Sequence, residues 1–248
     1  MHIDGHEIGT GRCLIVAELS GNHNGNLETA KQMVLEAKRC GADAVKVQTL
    51  DPFDMPDKDE TVKEGVVSKW IGRRWLEVYK ATFLPWQDQL RLKEFAMTIG
   101  MTFFASVYSK AAVDFWERNG SLPAYKIAGW QANYSELIGH TAETGRPVII
   151  ASDLYETGFS IPWGAMYEWA LLSRDAIEPI VREAVAFNVP VGYSNHGDPM
   201  QCVEAVKRGA VIVEQHFRID EGLDLYAATP EQFKAMVESI RKVERCSG

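Results

Sequence analysis

The chain has 248 residues, of which 46% are hydrophobic and 24% charged, and its formal net charge is −8 at pH 7. This composition is that of an ordinary globular protein and excludes a disordered chain. The negative charge and the lack of a basic stripe argue against a protein whose main task is to bind nucleic acid, although a few lysines in one cleft could still hold an anionic small molecule. The start shows no secretory signal pattern, no apolar run approaches the roughly 20 residues of a membrane span, and the four cysteines show no CxxC spacing. We therefore expect a cytoplasmic protein that binds neither nucleic acid nor a membrane.

Short apolar runs alternate with amphipathic helices along most of the chain. The first run, Cys13–Leu19, precedes a helix predicted over Asn26–Cys40, in which apolar residues recur at helical spacing. The later predicted strands are Ala44–Val47, Met101–Ser106, Ala124–Ala128, Pro147–Ala151, Val189–Tyr193 and Ala210–Val213. The later predicted helices are Trp86–Ile99, Lys110–Arg118, Ser135–Glu143, Asp175–Phe187, Met200–Lys207 and Pro230–Val243.

This alternation predicts parallel strands joined by crossover helices, and the continuous apolar runs predict strands buried on both faces. With Glu168–Ser173 as the sixth strand there are eight, so we expect an α/β protein with a (β/α)8 TIM barrel as a single domain over 1–248. Met166–Leu172 also fits a helix, and an open doubly wound sheet is the alternative architecture. Length alone would also allow two small domains.

One segment, Leu50–Leu84, does not follow the alternation of predicted strands and helices. It carries acidic residues at Asp51–Glu60 and then a group of aromatic and basic side chains, which are Trp70, Arg73, Arg74, Trp75 and Tyr79. A long excursion after a barrel strand is often a lid or a substrate-facing loop. The alternative is a surface excursion with a small hydrophobic cluster of its own.

Polar residues follow the predicted strands at the end where barrel enzymes carry their active sites. Lys46 and Lys126 lie within apolar strands near those ends, where an unpaired ammonium group is costly to bury. Two such lysines indicate a bound anion such as phosphate or carboxylate. The alternative is that a lysine pairs with a buried carboxylate such as Glu18.

Two histidines, His196 and His216, follow the neighbouring seventh and eighth strands. Because adjacent strands lie about 4.8 Å apart, the two imidazoles could converge on one divalent metal ion. Each could instead be a hydrogen-bonded structural residue. His23 could be a third ligand, or a turn residue in front of the first helix.

Five motifs, in order along the chain, resemble those of the NeuB family, which comprises sialic acid synthase and its relatives for legionaminic and pseudaminic acids. Ala17–Gly25 (AELSGNHNG) looks like the family's E-I-G-x-N-H-N-G, and Gly41–Gln48 (GADAVKVQ) looks like its G-A-D-A-V-K-F-Q. The other three are Tyr125–Ile127 (Y-K-I), Gly192–His196 (G-Y-S-D-H in the family) and Glu214–Phe217 (E-K-H-F in the family).

The resemblance implies an enzyme that condenses phosphoenolpyruvate with an aldose, releases phosphate and forms a 2-keto-3-deoxy sugar acid. It implies a divalent metal, Mn²⁺ or else Mg²⁺ or Co²⁺, on His196 and His216, and catalytic roles for Glu18 and Asp224. It also implies that the donor anion is held by Lys46, Lys126, Ser106 and Ser194, and we expect Asn22, Gln48 and Tyr193 in the same motifs to contribute to substrate binding. Self-association as a homodimer is a further expectation, given the tryptophans of the 50–84 excursion.

The chain also departs from the family pattern. The family's K-I-P-S-G-E corresponds to Lys126–Gln131 (KIAGWQ), so a phosphate-binding serine is Gly129 and an acid is Gln131. The S-T-G after the fifth strand corresponds to Ala151–Asp153, which removes a second hydroxyl. A hydrogen bond to a charged group contributes about 1.5–3 kcal/mol, so these losses weaken phosphate binding unless Trp130, Arg73 or Arg74 compensates. We find no counterpart of the family's C-terminal antifreeze-like domain and so expect an acceptor other than an N-acetylmannosamine-like sugar.

Three hypotheses follow. The first is the phosphoenolpyruvate-dependent synthase. The second is an aldolase-like or lyase-like barrel with another enolate donor, in one variant with Lys126 as a Schiff-base lysine. The third is a non-catalytic sugar-binding barrel, against which the retention of Glu18, both lysines and both histidines argues.

Overall fold

A computed structural model describes residues 1–64, 66, 68–132, 134–151, 169–173, 189–220 and 223–247 of the chain. Two short strands at the start, β1 (His2–Ile3) and β2 (His6–Glu7), pair antiparallel. The remaining described strands are β3 (Leu14–Glu18), β4 (Ala44–Thr49), β5 (Thr102–Val107), β6 (Tyr125–Ile127), β7 (Val148–Ala151), β8 (Trp169–Ser173), β9 (Val191–Asn195) and β10 (Ile212–His216). They are parallel and close into a barrel in which β10 pairs with β3, so the predicted (β/α)8 barrel is confirmed and the open sheet is excluded.

Six of the α-helices that the structure describes begin and end close to the predicted bounds, and the helix Trp75–Thr82 was not predicted. The described α-helices are Leu27–Arg39, Trp75–Thr82, Trp86–Thr98, Lys110–Arg118, Ser135–Ala142, Met200–Lys207 and Pro230–Ser247. Asn26 caps the first of them, because its side chain accepts a hydrogen bond from the Thr29 amide at 2.9 Å. The predicted helix over Asp175–Phe187 lies outside the described residues.

Of the strands predicted from the sequence, the sixth also fitted a helix. Trp169–Ser173 pairs in parallel with β7 on one side and with β9 on the other, so the described part of this run is a strand. Gly192 in β9 shows how close the neighbouring strands lie, since a Cβ atom at that position would stand 2.5 Å from the Ile212 carbonyl oxygen. Glycine is therefore required where β9 meets β10.

The side chains of each barrel strand alternate between two hydrophobic cores. In β3, Ile15 and Ala17 pack into the core between the barrel and its helices, whereas Leu14 and Val16 pack into the core inside the barrel. This period of two places Glu18 on the inward face, directly above Val16 and at the open end of the barrel. The strands are thus buried on both faces, as the continuous apolar runs predict.

The 50–84 excursion folds into structure of its own. It contains the short 3-10 helix Ser68–Trp70, the α-helix Trp75–Thr82 and an isolated bridge between Thr61 and Arg74. Val62, Val66, Val78 and Leu223 form its hydrophobic cluster. Because Leu223 comes from the loop after β10, this cluster attaches the excursion to the barrel's carboxyl end.

No helix in the part of the chain that the structure describes is both long enough and apolar enough to cross a membrane.

A buried charge network closes the opposite, amino end of the barrel. Arg241, in the last helix, pairs with Asp43 at the start of β4 and donates to the Cys13 carbonyl oxygen at 2.9 Å. Asp43 also accepts a hydrogen bond from the Ile15 amide at 2.9 Å. Arg12 completes the network from an exposed position, 2.7 Å from Asp43. The closing helix and the first two barrel strands are therefore held together by one carboxylate.

We predict that Asp43→Ala lowers the free energy of unfolding by about 3 kcal/mol, because it leaves the half-buried Arg241 guanidinium and the Ile15 amide without their shared acceptor. Arg12→Ala, which removes only the exposed partner, should cost less than about 1 kcal/mol. Urea denaturation followed by circular dichroism measures both. Equal losses for the two variants would show that the buried half of the network does not hold this end of the barrel.

Candidate active site

The carboxyl ends of the strands open into a cavity of about 350 Å³. Nine of the eleven site residues predicted from the sequence line it, and the exceptions are Asn22 and Tyr193. The nine are Glu18, Lys46, Gln48, Ser106, Lys126, Ser194, His196, His216 and Asp224. Residues far apart in sequence are thus brought to one place by the closure of the barrel, which is where barrel enzymes carry their active sites.

Lys46 forms the first ion pair of the cavity. Its ammonium group contacts the Glu18 carboxylate and donates to the Ser106 hydroxyl at 2.6 Å. The second Glu18 oxygen accepts a hydrogen bond from the Ser20 amide at 2.8 Å, which fixes the carboxylate. Lys46 and Glu18 are both almost fully buried, so the alternative inferred from the sequence, a lysine paired with Glu18, holds for Lys46.

Lys126 forms the second ion pair, with Glu214 of β10. The Lys126 ammonium group also lies 3.2 Å from the Ser194 hydroxyl, which itself donates to Glu214 at 2.9 Å. The other Glu214 oxygen lies 3.5 Å from the Lys46 ammonium group. One carboxylate therefore bridges both lysines, which places the two ammonium groups within the width of a single small anion.

The two lysines have different proton affinities. Burial, opposed by the attraction of Glu214 and assisted by the positive charge of Lys46, lowers the pKa of Lys126 to about 8. For Lys46, burial acts in the same direction, but Glu18 and Glu214 outweigh it and raise its pKa. Burial opposes ionisation of Glu214, yet Lys126 and Lys46 hold the pKa of that carboxyl well below its usual range. Of the two lysines, Lys126 is therefore the one closer to losing its proton near neutral pH.

The two histidines lie beside this cluster. The ring centroids of His196 and His216 are 5.1 Å apart, and the ring of Tyr226 packs edge-on against both. The Nδ1 atom of His216 lies 2.6 Å from an Asp224 carboxylate oxygen. Burial would raise the pKa of Asp224, but His216 and the hydrogen bonds to the carboxylate keep that pKa below its usual value. Asp224 therefore stays ionised and fixes the orientation of the His216 ring.

Asn22 acts behind the cavity wall rather than in it. Its Oδ1 atom accepts hydrogen bonds from the backbone amides of Leu223 and Asp224 at 2.7 and 2.9 Å. Its Nδ2 atom donates to the Asp224 carboxylate and to the Phe217 carbonyl oxygen, both at 3.2 Å. Asn22 thus holds the loop that carries Asp224 in place.

Tyr193 and His23 also lie away from the cavity. The Tyr193 side chain packs in the core outside the barrel, and its hydroxyl lies 3.3 Å from Gln201 Oε1. His23 is buried in the turn after β3, where its Nδ1 atom accepts a hydrogen bond from the Gly25 amide at 3.1 Å. Burial lowers the pKa of His23 to about 4. These contacts favour the turn interpretation of His23 over that of a third metal ligand.

The arrangement of His196 and His216 fits the binding of a divalent cation. Since Asp224 engages Nδ1 of His216, Nε2 of that ring is left as its ligand atom, a carboxylate–histidine arrangement common at metal sites. With metal–nitrogen bonds of about 2.0–2.2 Å, two rings this close can share one ion. Within the described ranges no cluster of three or more His, Cys, Asp or Glu side chains is arranged to hold an ion, so water or substrate oxygens would complete the coordination.

The side of the cavity where the chain departs from the family pattern is aromatic. Gly129 and Ala151 line it in place of the expected hydroxyls, and Trp130 lines the same cavity. Arg73 and Arg74 are exposed and do not line the cavity; both contact Glu77 instead. Of the three compensating residues considered from the sequence, only Trp130 therefore reaches the cavity. Ser152 and Asp153 lie outside the described residues.

Several lining residues were not among the predicted site residues. Glu214 is the most important, and its position two residues before His216 on an inward-facing strand could have identified it. Tyr108, which directly follows β5, also lines the cavity. Burial, followed by Glu18 and Glu214, raises the pKa of Tyr108, so its hydroxyl stays protonated. Trp75 and Tyr79 of the excursion also line the cavity, so the excursion both has its own hydrophobic cluster and faces the site.

A cavity with buried ion pairs and a carboxylate-oriented histidine pair, at the carboxyl end of a closed (β/α)8 barrel, defines a barrel enzyme. Comparison with known proteins identifies the family. The sequence model of the NeuB family matches residues 33–158 and 176–248. The chain is 30% identical over 261 residues to the pseudaminic acid synthase of Campylobacter jejuni, covering 96% of this chain and 75% of that protein. It is 29% identical over 258 residues to the N-acetylneuraminate-9-phosphate synthase of Homo sapiens, covering 95% and 71%.

The fold agrees with this assignment. The crystal structure of N-acetylneuraminic acid (sialic acid) synthetase from Leptospira borgpetersenii serovar Hardjo-bovis matches with a TM-score of 0.85 at 22% identity, covering 100% of this chain and 90% of that one. The chain belongs to the NeuB family. It is a transferase of the sialic-acid-synthase type, as the five motifs indicate.

We predict that Glu214→Leu lowers the free energy of unfolding by about 3 kcal/mol at pH 7, because it leaves Lys126 buried without a carboxylate. The double variant Glu214→Leu/Lys126→Met should regain most of this loss, since it removes the uncompensated charge as well. Glu204→Ala, which breaks an exposed helical pair with Lys207, is the control and should cost less than about 1 kcal/mol. If the double variant in urea denaturation is no more stable than Glu214→Leu alone, the bridging role of Glu214 is wrong.

Proposed function

We propose that this protein condenses phosphoenolpyruvate with an aldose, or with another aldehyde, to give a 2-keto-3-deoxy sugar acid and inorganic phosphate. The observation that carries the proposal is the convergence of Lys46 and Lys126 on one carboxylate, Glu214, in a cavity that also contains His196 and His216. The names of the relatives, which are synthases of pseudaminic acid, N,N'-diacetyllegionaminic acid and N-acetylneuraminate-9-phosphate, support the same chemistry.

The two lysines and two hydroxyls are suited to hold the donor anion. Phosphoenolpyruvate carries a carboxylate and a phosphate, and both are recognised by charge-assisted hydrogen bonds from ammonium and hydroxyl groups. The Ser106 hydroxyl accepts from the Lys46 ammonium group at 2.6 Å, and the Ser194 hydroxyl lies 3.2 Å from the Lys126 ammonium group. Both hydroxyls therefore already belong to this cluster. On binding, each lysine would exchange part of its contact with an internal carboxylate for contact with the donor, so the ammonium groups need no further desolvation.

Glu18 is placed to act as the base. In the condensation, the double-bond electron pair of the donor forms a bond from its C3 to the aldehyde carbon, and the aldehyde oxygen takes up a proton. Water then adds to the cationic C2 and gives one proton to the Glu18 carboxylate, which balances the proton consumed at the aldehyde oxygen. The C2–O bond to phosphate then breaks with its electron pair, and the C2 hydroxyl gives its remaining proton to the departing phosphate as the C2 ketone forms. Glu18 suits this role because the Ser20 amide and Lys46 hold its carboxylate in place.

Asp224 and Asn22 orient the part of the cavity where the aldehyde acceptor would bind. Asp224 accepts from Nδ1 of His216 and so sets the tautomer of that ring, while Asn22 holds the Asp224 loop. A divalent ion, Mn²⁺ or else Mg²⁺ or Co²⁺, held by His196 and His216 would polarise the acceptor's aldehyde oxygen. Gln48 also lines the cavity and can donate to a substrate hydroxyl, whereas Asn22 and Tyr193 would act on the substrate only through their neighbours.

One observation favours a second candidate. Gly129 and Ala151 take the places of two hydroxyl donors, each worth about 1.5–3 kcal/mol to a charged phosphate. A lyase-like or aldolase-like reaction with an enolate donor that lacks phosphate would not need them. The lowered pKa of Lys126, about 8, would also allow an imine-forming lysine.

The proposed activity predicts release of inorganic phosphate from phosphoenolpyruvate when wild-type protein, Mn²⁺ and a suitable aldose are combined. Lys126→Ala should lower kcat/KM for phosphoenolpyruvate at least about 100-fold, because it removes one of the two cations that hold the donor. Lys207→Ala, at an exposed helical ion pair, should leave the rate unchanged. Absence of phosphate release across a broad panel of aldehydes, with pyruvate consumed instead, would support the lyase-like alternative.

The metal assignment predicts that His196→Ala and His216→Ala each lower Mn²⁺ affinity at least about 10-fold in calorimetric titration, since each removes one of two imidazole ligands. His140→Ala serves as the matched control, because His140 pairs with Asp114 between two helices and lies outside the cavity. Unchanged Mn²⁺ affinity in both cavity variants would remove the metal from the proposal.

A further inference from the structure

Trp130 is an exposed aromatic residue at the rim of a polar cavity. It lies in the 3-10 turn Gly129–Gln131, which directly follows β6, the strand that carries Lys126. The indole is 43% exposed and lines the cavity. A large apolar side chain that remains exposed beside a cleft often marks a binding surface. The family pattern has glycine at this position, so the indole is a feature of this chain.

Two aromatic rings contact the indole, and a hydrogen bond fixes the turn that carries it. Its ring stacks on that of Tyr108 with centroids 6.0 Å apart and an angle of 29° between the planes. Tyr134 packs edge-on against it at 6.0 Å. Gln131, which is buried, donates its amide to the Tyr108 carbonyl oxygen at 2.9 Å and so ties the turn to the end of β5. This explains a role for glutamine where the family has an acid: it fixes the turn that presents the indole.

The excursion supplies a second aromatic wall. Trp75 and Tyr79 stack with centroids 5.5 Å apart and line the same cavity. The Tyr79 hydroxyl donates to the Asp57 carboxylate, with its two oxygens at 2.8 and 3.0 Å, so this wall is also fixed. The cavity therefore combines a charged floor, formed around the two lysines, with aromatic surfaces nearer its rim.

We propose that Trp130 is a specificity-determining residue that forms the stacking platform for the acceptor sugar. This inference rests on the proposed function, because it assigns the acceptor to the part of the cavity that the donor anion leaves open. The face of an aromatic ring is electron-rich and attracts the partly positive hydrogens of C–H bonds. An aldose presents such bonds along the carbons beyond its aldehyde, and the indole at the rim can bind them while the aldehyde reaches the histidines.

The platform also defines the class of acceptor. It fits an aldose whose non-reacting part offers a continuous C–H face, such as a deoxy sugar. A three-carbon aldehyde such as D-glyceraldehyde has too few carbons to cover the ring. Binding energy gained at the indole acts on the remote part of the acceptor and would raise the preference for long aldoses over short ones.

The test compares steady-state kinetics of wild-type protein with Trp130→Ala, Trp130→Phe and Phe53→Ala, using phosphoenolpyruvate, Mn²⁺, and N-acetyl-D-mannosamine, D-mannose or D-glyceraldehyde. Phe53 is a matched exposed aromatic residue outside the cavity. Trp130→Ala should raise KM for the preferred long aldose at least about 10-fold and leave KM for phosphoenolpyruvate within about twofold. Trp130→Phe should restore most of the acceptor affinity, and Phe53→Ala should behave as wild type.

An unchanged acceptor KM in Trp130→Ala, or equal rises in the KM of both substrates, would overturn the inference while leaving the proposed function standing. If the wild-type protein turns over no aldose, the proposed function fails, and saturation-transfer NMR with the same sugars then tests the platform alone. A signal that is present for wild type and Trp130→Phe but lost in Trp130→Ala supports the platform. Equal signals in all three, or none in wild type, contradict it.

Discussion

Burying two ammonium groups at the mouth of a parallel barrel costs several kcal/mol for each unless a carboxylate lies beside it. The barrel meets this constraint with Glu18 for Lys46 and with Glu214 for Lys126 and, at a longer distance, for Lys46 as well. Because one carboxylate serves both lysines, the two cations are forced close together. The same arrangement that stabilises the ligand-free cavity thus presents two neighbouring ammonium groups, each of which can exchange part of a carboxylate contact for contact with a bound anion.

The alternation of side chains along each strand explains why the site forms where it does. Glu214 and His216 are two residues apart on β10, so both face inward, and Ser194 faces Glu214 across the pair of strands. The pairing of His216 with Glu18 across β10 and β3 then places the histidine side next to the first ion pair. One strand register therefore places both the charged groups around the two lysines and the histidine pair. A shift of this register by one residue would turn these side chains away from the barrel interior.

Much of this could be predicted from the sequence, because the strands are continuous apolar runs and the polar residues that follow them mark one end of the barrel. The same alternation would have placed Tyr193 outside the barrel, since Ser194 beside it faces inward. Other features depend on contacts between distant segments and leave no local signal. The Asn22 side chain is recognised as a positioning residue only when the Asp224 loop is seen against it. The helix Trp75–Thr82 was hidden in an irregular segment whose cluster is completed by Leu223.

This chain differs from the family pattern on one side of the cavity. Hydroxyl donors are replaced at Gly129 and Ala151, and the Trp130 indole, carried by a turn that Gln131 fixes, lines the same cavity. The central claim is that the two lysines form the donor site, and a crystal structure with bound phosphoenolpyruvate and Mn²⁺ tests it most directly. The account predicts that the ammonium groups of Lys46 and Lys126 both lie within about 3.2 Å of donor oxygens, a normal hydrogen-bonding distance. A donor bound elsewhere, with both lysines still held by Glu18 and Glu214, would contradict it.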